Sequence, residues 1–182
     1  AVSNVKESIK ILSVVSYNLH GLNQGLPGIK ELMCSINPSI IMVQEHWQTP
    51  DNLYKLSDIS NDYFAFGSSA MDARVAAGPL YGRPFGGTAI LINNNFANIA
   101  VNIATSDRFT VVRIANWLLI CVYLPCTGTD QRLFVYNDTL NELQSIISDN
   151  TDCDLFIGGD FNTDLNNSNQ INSLVENFVA IN

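Results

Sequence analysis

The sequence has 182 residues and a mass of 20.0 kDa, with 47% hydrophobic and 14% charged residues. This length favours a single domain, the composition excludes a disordered chain, and no apolar run approaches the roughly 20 residues of a membrane span. Nine Lys and Arg against 17 Asp and Glu give a net charge of −8, so any polyanionic partner must be held locally, by a few arginines or by bound cations.

The predicted elements mix strands and helices. Strands are predicted where short β-branched apolar runs are bounded by turn residues, and helices where apolar residues recur at spacings of three and four. In the first half of the chain, the sequence predicts a strand at 11–17, a loop at 21–28, a helix opened by Pro27 and ended by Asn37-Pro38, and a strand at 39–44. A short helix within 49–57, a strand at 63–66 and a long loop at 67–87 follow. In the second half, it predicts strands at 88–92, 99–103, 109–115 and 117–124, a helix at 129–147, a strand at 154–158 and a helix at 171–178.

Such a mixture predicts a layered, sheet-rich α/β or α+β protein. The three consecutive strands between residues 99 and 124 predict an antiparallel meander, because only short connections separate them. No G-x-G-x-x-G follows the first strand, which excludes a Rossmann dinucleotide site. No Pro- or Ser-rich linker divides the chain, so the sequence indicates one domain.

Polar residues stand where several of the predicted strands end. Asn18 follows the first strand, Glu45 follows the second, and Asp160 and Asn162 follow the strand at 154–158. Tyr123 lies near the end of a fourth strand. Ligands of open α/β sheets bind beyond the carboxyl ends of strands, so these side chains can share one polar pocket. Taken singly, each is more often a turn or capping residue or, for Tyr123, a half-buried core aromatic.

This set of side chains favours one kind of chemistry. Two carboxylates and two amides without a thiolate cluster favour a hard cation such as Mg²⁺ or Mn²⁺. Such a cation suits a phosphate substrate, and a carboxylate that is not saturated by metal can orient a water for in-line attack. The four cysteines form no C-x-x-C pair, which argues against zinc, and we expect reduced thiols in an intracellular protein.

Five short motifs occur in order along the chain: Ser16-Tyr17-Asn18-Leu19-His20-Gly21, Gln44-Glu45-His46-Trp47, Gly86-Gly87-Thr88-Ala89-Ile90, Val122-Tyr123-Leu124-Pro125 and Gly158-Gly159-Asp160-Phe161-Asn162-Thr163. Each motif alone is weakly specific, but the five in this order form a strong pattern. From about residue 9 to residue 178 the chain resembles the endonuclease/exonuclease/phosphatase superfamily, which includes apurinic/apyrimidinic endonucleases and deoxyribonuclease I. Within it, the chain looks most like the endonuclease domain of non-LTR retrotransposons.

The resemblance implies a fold and a set of roles. The fold is a four-layer α/β sandwich, with two mixed sheets packed face to face and helices outside. Glu45 is the implied ligand of Mg²⁺, or of Mn²⁺, and Asn18 supports the metal shell and the phosphate. Tyr123 is implied to hydrogen-bond a phosphate oxygen. Asp160 would orient or deprotonate the attacking water, and Asn162 would hold Asp160 and the phosphate in register.

The implied activity is nicking of DNA to leave 3′-hydroxyl and 5′-phosphate ends. In a retroelement that 3′-hydroxyl primes reverse transcription. The implied partners are therefore DNA and a reverse transcriptase in the parent polypeptide, and the implied place of action is the nucleus.

The sequence departs from the superfamily pattern after Asn162. The superfamily carries a late Ser-Asp-His-like motif and an earlier metal-side Asp, and neither is matched; Asp164 is too close in sequence to Asp160 to be that Asp. We therefore expect residues 1–182 to form a domain that is incomplete at its C-terminus, with the last strands missing. Such a fragment should be weakly active or inactive, since removing one preorganised stabiliser of transition-state charge costs about a hundredfold to a thousandfold or more.

Several further residues are candidates for substrate contact. Arg74 and Arg83, in the long loop, are candidates for phosphate contact and equally for ordinary surface arginines. His20, in the loop after the first strand, is a candidate for substrate contact, although an exposed loop histidine is the more frequent case. Trp47 is a candidate for base stacking or for a core position.

Three other residues are given structural roles. His46 follows Glu45, so strand alternation should point it away from the pocket, and we expect it to pack or to cap. Arg108 and Arg113 flank a predicted strand and are expected to pair with acids.

Two other functions stay open. A lipid or RNA phosphodiesterase of the same superfamily, similar to a sphingomyelinase or a deadenylase, is mildly favoured by the acidic charge, because DNA binding normally recruits Lys and Arg. A non-catalytic remnant that only binds partners is favoured by the missing terminal His motif.

Overall fold

A computed structural model describes residues 12–182. The predicted first strand starts at residue 11 and the family resemblance at about residue 9, so the beginnings of both lie outside the described residues. The described chain forms two four-stranded sheets. The first contains β1 (Val14–Asn18), β2 (Ile40–Gln44), β3 (Tyr63–Ser68) and β4 (Thr88–Asn93), and the second contains β5 (Ala100–Thr105), β6 (Phe109–Ile114), β7 (Trp117–Tyr123) and β8 (Asp154–Asp160).

Both sheets are mixed. The first has the order β1-β2-β4-β3, in which β1 and β2 are parallel and the other neighbours are antiparallel. The second has the order β5-β6-β7-β8, in which β5, β6 and β7 form the predicted antiparallel meander and β7 and β8 are parallel. Each sheet thus ends in a parallel pair, and that pair brings two carboxyl strand ends to the same edge.

The sheets pack face to face, with helices on both outer sides. β2 shows why, since its first four residues are apolar and all five of its residues are buried, as expected for a strand covered on both faces. Ile40 and Met42 face the second sheet, whereas Ile41 and Val43 face the helical layer. This arrangement confirms the predicted four-layer α/β sandwich with two mixed sheets.

Within residues 12–182, the outer layers consist of three helices and one longer 3₁₀ segment. The first sheet is covered by α1 (Leu22–Ser35) and the 3₁₀ segment Pro50–Ile59, and the second by α3 (Arg132–Ser148) and α4 (Gln170–Ile181). The long loop between β3 and β4 contains a short helix of about one and a half turns, α2 (Asp72–Ala76). A second 3₁₀ segment, Asn94–Ile99, follows β4.

The predicted start of the first helix is wrong. The helix begins at Leu22, so the region expected as a loop at 21–28 is mostly helical and Pro27 lies inside the helix. The buried positions are Leu22, Gly25, Ile29 and Met33, spaced by three or four residues, and Gly25 leaves no room for a side chain beside Leu19. Pro27 is exposed, so it costs the helix one hydrogen bond without disturbing this contact.

The remaining boundaries differ in detail only. β3 runs two residues further than predicted, to Ser68, and β8 two residues further, to Asp160. Among the helices of residues 12–182, none combines the length and the hydrophobicity that a membrane span requires.

Candidate active site

The parallel strand pairs place the predicted polar residues at one edge of the sandwich. Asn18 ends β1 and pairs with Gln44, and Asp160 ends β8 and pairs with Tyr123. The side-chain amide of Asn18 donates from Nδ2 to Glu45 Oε1 at 2.9 Å and to Asp160 Oδ2 at 3.1 Å. One nitrogen therefore holds two carboxylates from different sheets, and three of the predicted strand-end residues, Asn18, Glu45 and Asp160, do meet.

Glu45 projects from a sharp turn that follows β2. Glu45 and Trp47 both have left-handed backbones, with φ of 55° and 56°, which is uncommon for residues other than glycine. Their backbone N–H groups donate to Gly87 O at 2.9 Å and Gly86 O at 3.0 Å. The strand pairing between β2 and β4 is thereby continued beyond both strands, and it fixes where the Glu45 side chain leaves the backbone.

The buried side chain of His46 stabilises this turn. Its side chain is fully buried, with Nε2 3.0 Å from Ser68 O and Nδ1 accepting from Gln48 N at 3.0 Å. These partners assign the proton to Nε2, and burial lowers the pKa of His46 from 6.5 to about 4. The prediction that His46 packs away from the pocket is confirmed. Position 87 requires glycine, because its φ is 87° and any side chain there would overlap the His46 ring.

Asp160 and Asn162 are fixed by hydrogen bonds to the backbone. Asp160 Oδ1 accepts from Asn162 N at 2.9 Å, and Asn162, whose φ is 51°, donates from Nδ2 to Leu124 O at 2.8 Å. Arg132 donates from Nη2 to Asn162 O at 2.6 Å and from Nε to Pro125 O at 2.9 Å. Asn162 therefore orients Asp160 through its backbone, while its side chain joins the two strand-end loops.

Arg132 was not singled out by the sequence analysis. It is the first residue of α3, where a positive charge is disfavoured by the helix dipole. A basic residue in that place is a signal that its side chain has another partner, and here the partners are the Asn162 and Pro125 carbonyls.

Tyr123 is a neutral hydroxyl beside the carboxylates. Burial is the largest cause that raises the pKa of Tyr123 above its ordinary value of 10, and the negative charge of Glu45 raises it further. The phenol therefore keeps its proton throughout the physiological range and can act as a hydrogen-bond donor next to Glu45.

A cavity of about 400 Å³ opens beside these groups. Its polar lining combines Glu45 and Tyr123 with three side chains that carry or can carry positive charge, His20, Arg83 and Arg108. The Arg83 guanidinium lies 4.2 Å from the centroid of the Trp47 ring. The His20 ring, 69% exposed at its side chain, has Nδ1 3.8 Å from Glu45 Oε2.

Arg108 forms the predicted ion pair, and one of its nitrogen donors makes no hydrogen bond within residues 12–182. Its Nε lies 3.6 Å from Asp107 Oδ2, which agrees with the expected pairing. That Nε is buried and has no hydrogen-bond partner among residues 12–182. Arg113 pairs as predicted, with Nη1 and Nη2 donating to Asp152 at 3.1 and 2.8 Å, on a different part of the second sheet.

Arg74 lies outside the cavity. It belongs to α2, and its guanidinium stacks over Phe85 at 4.6 Å from the ring centroid. Phe85 lines the cavity, so Arg74 reaches it only through this ring. Arg74 itself lines a neighbouring cavity of about 360 Å³ with Tyr81.

The donor set fits a hard divalent cation that is only partly held by protein. No group of three or more His, Cys, Asp and Glu side chains that could hold a metal comes together within residues 12–182. Glu45 and Asp160 instead supply two carboxylates, drawn together by Asn18. Mg²⁺ is commonly bound by one or two carboxylates, with waters and substrate phosphates completing its octahedron. The set lacks the nitrogen or sulfur ligands typical of zinc.

No family model and no curated protein matches the sequence. Solved structures, however, share its fold. A 3′ phosphatase, NExo, from Neisseria bound to a product DNA hairpin is 13% identical, with a TM-score of 0.66 over 94% of this chain and 71% of that one. An AP endonuclease from Archaeoglobus fulgidus is 13% identical, with a TM-score of 0.65 over 94% of this chain and 71% of that one.

A third similar structure is a humanized D. rerio TDP2, 16% identical, with a TM-score of 0.59 over 92% of this chain and 66% of that one. These neighbours belong to the endonuclease/exonuclease/phosphatase superfamily, and the chain has the superfamily's fold. It spans 66 to 71% of the length of these three proteins.

Proposed function

We propose that the protein is a Mg²⁺-dependent phosphodiesterase that cleaves DNA by attack of water on the phosphorus atom. The observation that carries the proposal is the Asn18 amide, which bonds Glu45 and Asp160 at 2.9 and 3.1 Å. Two carboxylates held together at a sheet edge, beside a neutral phenol and several arginines, suit a phosphate diester better than an uncharged substrate. Neighbours of the same fold, an AP endonuclease and a 3′ phosphatase bound to DNA, support this substrate class.

Each side chain has a role that its environment allows. Asp160 accepts the proton of the attacking water. Its Oδ1 accepts a hydrogen bond from the Asn162 N–H and its Oδ2 accepts one from Asn18 Nδ2, so the carboxylate is held in a fixed orientation. Tyr123 donates its hydroxyl proton to a non-bridging phosphate oxygen. Glu45 and Asp160 would hold the cation, with Asn18 fixing both, and Mg²⁺ or Mn²⁺ when bound supplies the positive charge that stabilises the leaving oxygen.

The arginines explain how an acidic chain can hold a polyanion. All five arginines lie within residues 12–182, and four of them surround the site. Arg83 and Arg108 line the cavity, Arg74 stacks on the cavity residue Phe85, and Arg132 bonds Asn162 O. We propose that Arg83, Arg108 and, at the margin, Arg74 and His20 contact the phosphates that flank the cleaved bond.

The narrower form of the proposal is a strand-nicking endonuclease of a retroelement, acting in the nucleus and linked to a reverse transcriptase. The Gln44-Glu45-His46-Trp47 and Gly159-Asp160-Phe161-Asn162 motifs support it. This form requires an internal nick with a free 3′-hydroxyl. A polymerase that extends the nicked strand without prior end repair would demonstrate that product.

A nicking assay on supercoiled plasmid with Mg²⁺ tests the proposal directly. We expect conversion to the open circle, a loss of at least a hundredfold in rate in Glu45→Gln and in Asp160→Asn, and full loss on chelation. The matched control is Asp164→Asn, a carboxylate in the next loop that bonds only its neighbours Asn166 and Asn167. Equal rates in Glu45→Gln and wild type would contradict the proposal.

The substrate class is tested in the same buffer. Plasmid DNA, poly(A) and sphingomyelin are offered in parallel at one Mg²⁺ concentration. DNA cleavage that exceeds the other two is expected. Faster cleavage of poly(A) or sphingomyelin would replace the DNA assignment with the RNA or lipid alternative, which the net charge of −8 favours.

A further inference from the structure

We propose that Trp47 is a positioning residue for Glu45, and that its indole N–H raises the affinity of the site for a divalent cation. The inference rests on the proposed function, because it concerns the cation that Glu45 and Asp160 would share. It adds a residue that no pattern of carboxylates and amides would reveal.

The two oxygens of Glu45 are held by different donors. Asn18 Nδ2 donates to Oε1 at 2.9 Å, and the Trp47 indole Nε1 donates to Oε2 at 3.2 Å. A carboxylate oxygen has more than one lone pair, so these bonds orient the carboxylate without exhausting its capacity to bind a cation. The indole Nε1, like Asn18 Nδ2, can only donate a hydrogen bond and offers no lone pair to the cation.

The backbone keeps Trp47 next to Glu45. The residue between them, His46, is fully buried, and the Trp47 N–H donates to Gly86 O at 3.0 Å. Because Glu45 and Trp47 share the same left-handed conformation on either side of this anchor, their side chains emerge on the same side of the turn.

The indole ring is itself confined. A Cβ atom added to Gly21 would lie only 2.6 Å from Trp47 Cε3, so the ring packs directly on the Gly21 backbone. The Arg83 guanidinium covers the ring at 4.2 Å, and the His20 ring centroid lies 5.0 Å away. An immobilised ring holds its N–H in a fixed direction, which is what a positioning donor requires.

Calorimetric titration with Mn²⁺ in the absence of DNA tests the role of the N–H. Trp47→Phe keeps an aromatic ring and removes the donor, and we expect about tenfold weaker Mn²⁺ binding, the lower end of the effect of losing such a supporting partner. Trp117→Phe, at the start of β7, is the matched control and should leave Mn²⁺ affinity within twofold of wild type.

Fluorescence provides a second reading that does not depend on activity. The chain has two tryptophans, so Trp117→Phe leaves Trp47 as the single tryptophan reporter. Its emission should change on addition of Mn²⁺ with the midpoint found by calorimetry, and Glu45→Gln in the same background should abolish the change. Absence of any change in the Trp47 emission would contradict contact between the indole and the carboxylate that binds the cation.

The outcomes separate this inference from the function it rests on. Mn²⁺ binding by wild type with unchanged affinity in Trp47→Phe overturns the positioning role alone. Absence of Mn²⁺ binding by wild type overturns both. Should Trp47→Phe fail to fold, incorporation of β-(3-benzothienyl)alanine in the Trp117→Phe background removes only the N–H at position 47, and the same tenfold loss relative to Trp117→Phe is expected.

Discussion

The two halves of the candidate site are built in different ways. On the first sheet, Glu45 is placed by its own backbone, through left-handed residues and the contact of His46 with Gly87. On the second sheet, Asp160 is placed by side chains that reach backbone groups, namely Asn162 to the Leu124 carbonyl and Arg132 to the Asn162 carbonyl. The first half should therefore respond most to backbone substitutions, and the second to side-chain substitutions.

The largest expected effect is on the backbone of the first half. Gly87→Ala adds left-handed strain of about 1–2 kcal/mol and an overlap with the buried His46 ring worth about 1–3 kcal/mol more. We expect a loss of roughly 4 kcal/mol in the free energy of unfolding, measured by urea denaturation. Gly128→Ala is the matched control, because its φ is 92° but no atom of residues 12–182 lies within 4 Å of the added Cβ, so only the strain should remain. Equal losses in both variants would contradict the role of the His46 contact.

The next effect is a pH dependence that originates in the first half. His46 has a folded pKa of about 4 against an ordinary 6.5. Above pH 6.5 both states hold it neutral. Between pH 6.5 and 4 the unfolded chain binds a proton that the folded chain excludes, so the free energy of unfolding falls by up to about 3 kcal/mol and levels off below pH 4.

The measurement is a series of urea titrations from pH 7 to pH 4. His46→Gln should flatten the decline, whereas His20→Gln, at an exposed histidine, should leave it as in wild type. A decline of the same size in all three proteins would show that the carboxylates cause it and that His46 does not.

A smaller effect is expected in the second half. Arg132→Gln removes charged donors from the Asn162 and Pro125 carbonyls, and we expect a loss of about 2 kcal/mol in the free energy of unfolding. Nicking should slow about tenfold, because a displaced Asn162 would also displace Asp160, which accepts a hydrogen bond from the Asn162 N–H. If Arg132→Gln lost the expected free energy of unfolding but each folded molecule nicked DNA at the wild-type rate, Arg132 would not position the site.

The smallest expected loss in the free energy of unfolding is that of Arg113→Gln, which serves as the reference for Arg132→Gln. Arg113→Gln breaks the pair with Asp152, whose side chain is 49% exposed, and exposed pairs contribute about 0.2–1 kcal/mol. Urea denaturation should therefore give a loss below about 1 kcal/mol with unchanged nicking. A loss as large as that of Arg132→Gln would mean that an exposed carboxylate partner stabilises the fold as much as the backbone carbonyls that Arg132 binds.

The fold and the strand-end residues were predictable from sequence because both follow from periodicity. Apolar runs predicted β2 and β8, and the polar residues at their ends predicted the positions of Glu45 and Asp160. The start of α1 was not predictable in the same way, since Pro27 is a strong local signal and the contact of Gly25 with Leu19 is a tertiary one. Arg132 was missed for a similar reason, because its partners are backbone carbonyls. The one signal of them, a basic residue at the start of α3, can be recognised only once the first residue of that helix is known.

The hydrogen bond from Asn18 to Asp160 joins residues that are 142 positions apart. At about 5–20 residues per second during synthesis, roughly 7 to 28 seconds pass between the appearance of the first partner and that of the second. A nascent chain thus carries the Glu45 turn and most of both sheets before the two carboxylates can face each other. Assembly of the pocket is then a late, long-range closure of the kind that slows folding, and a growing chain lacks the paired carboxylates until β8 joins β7.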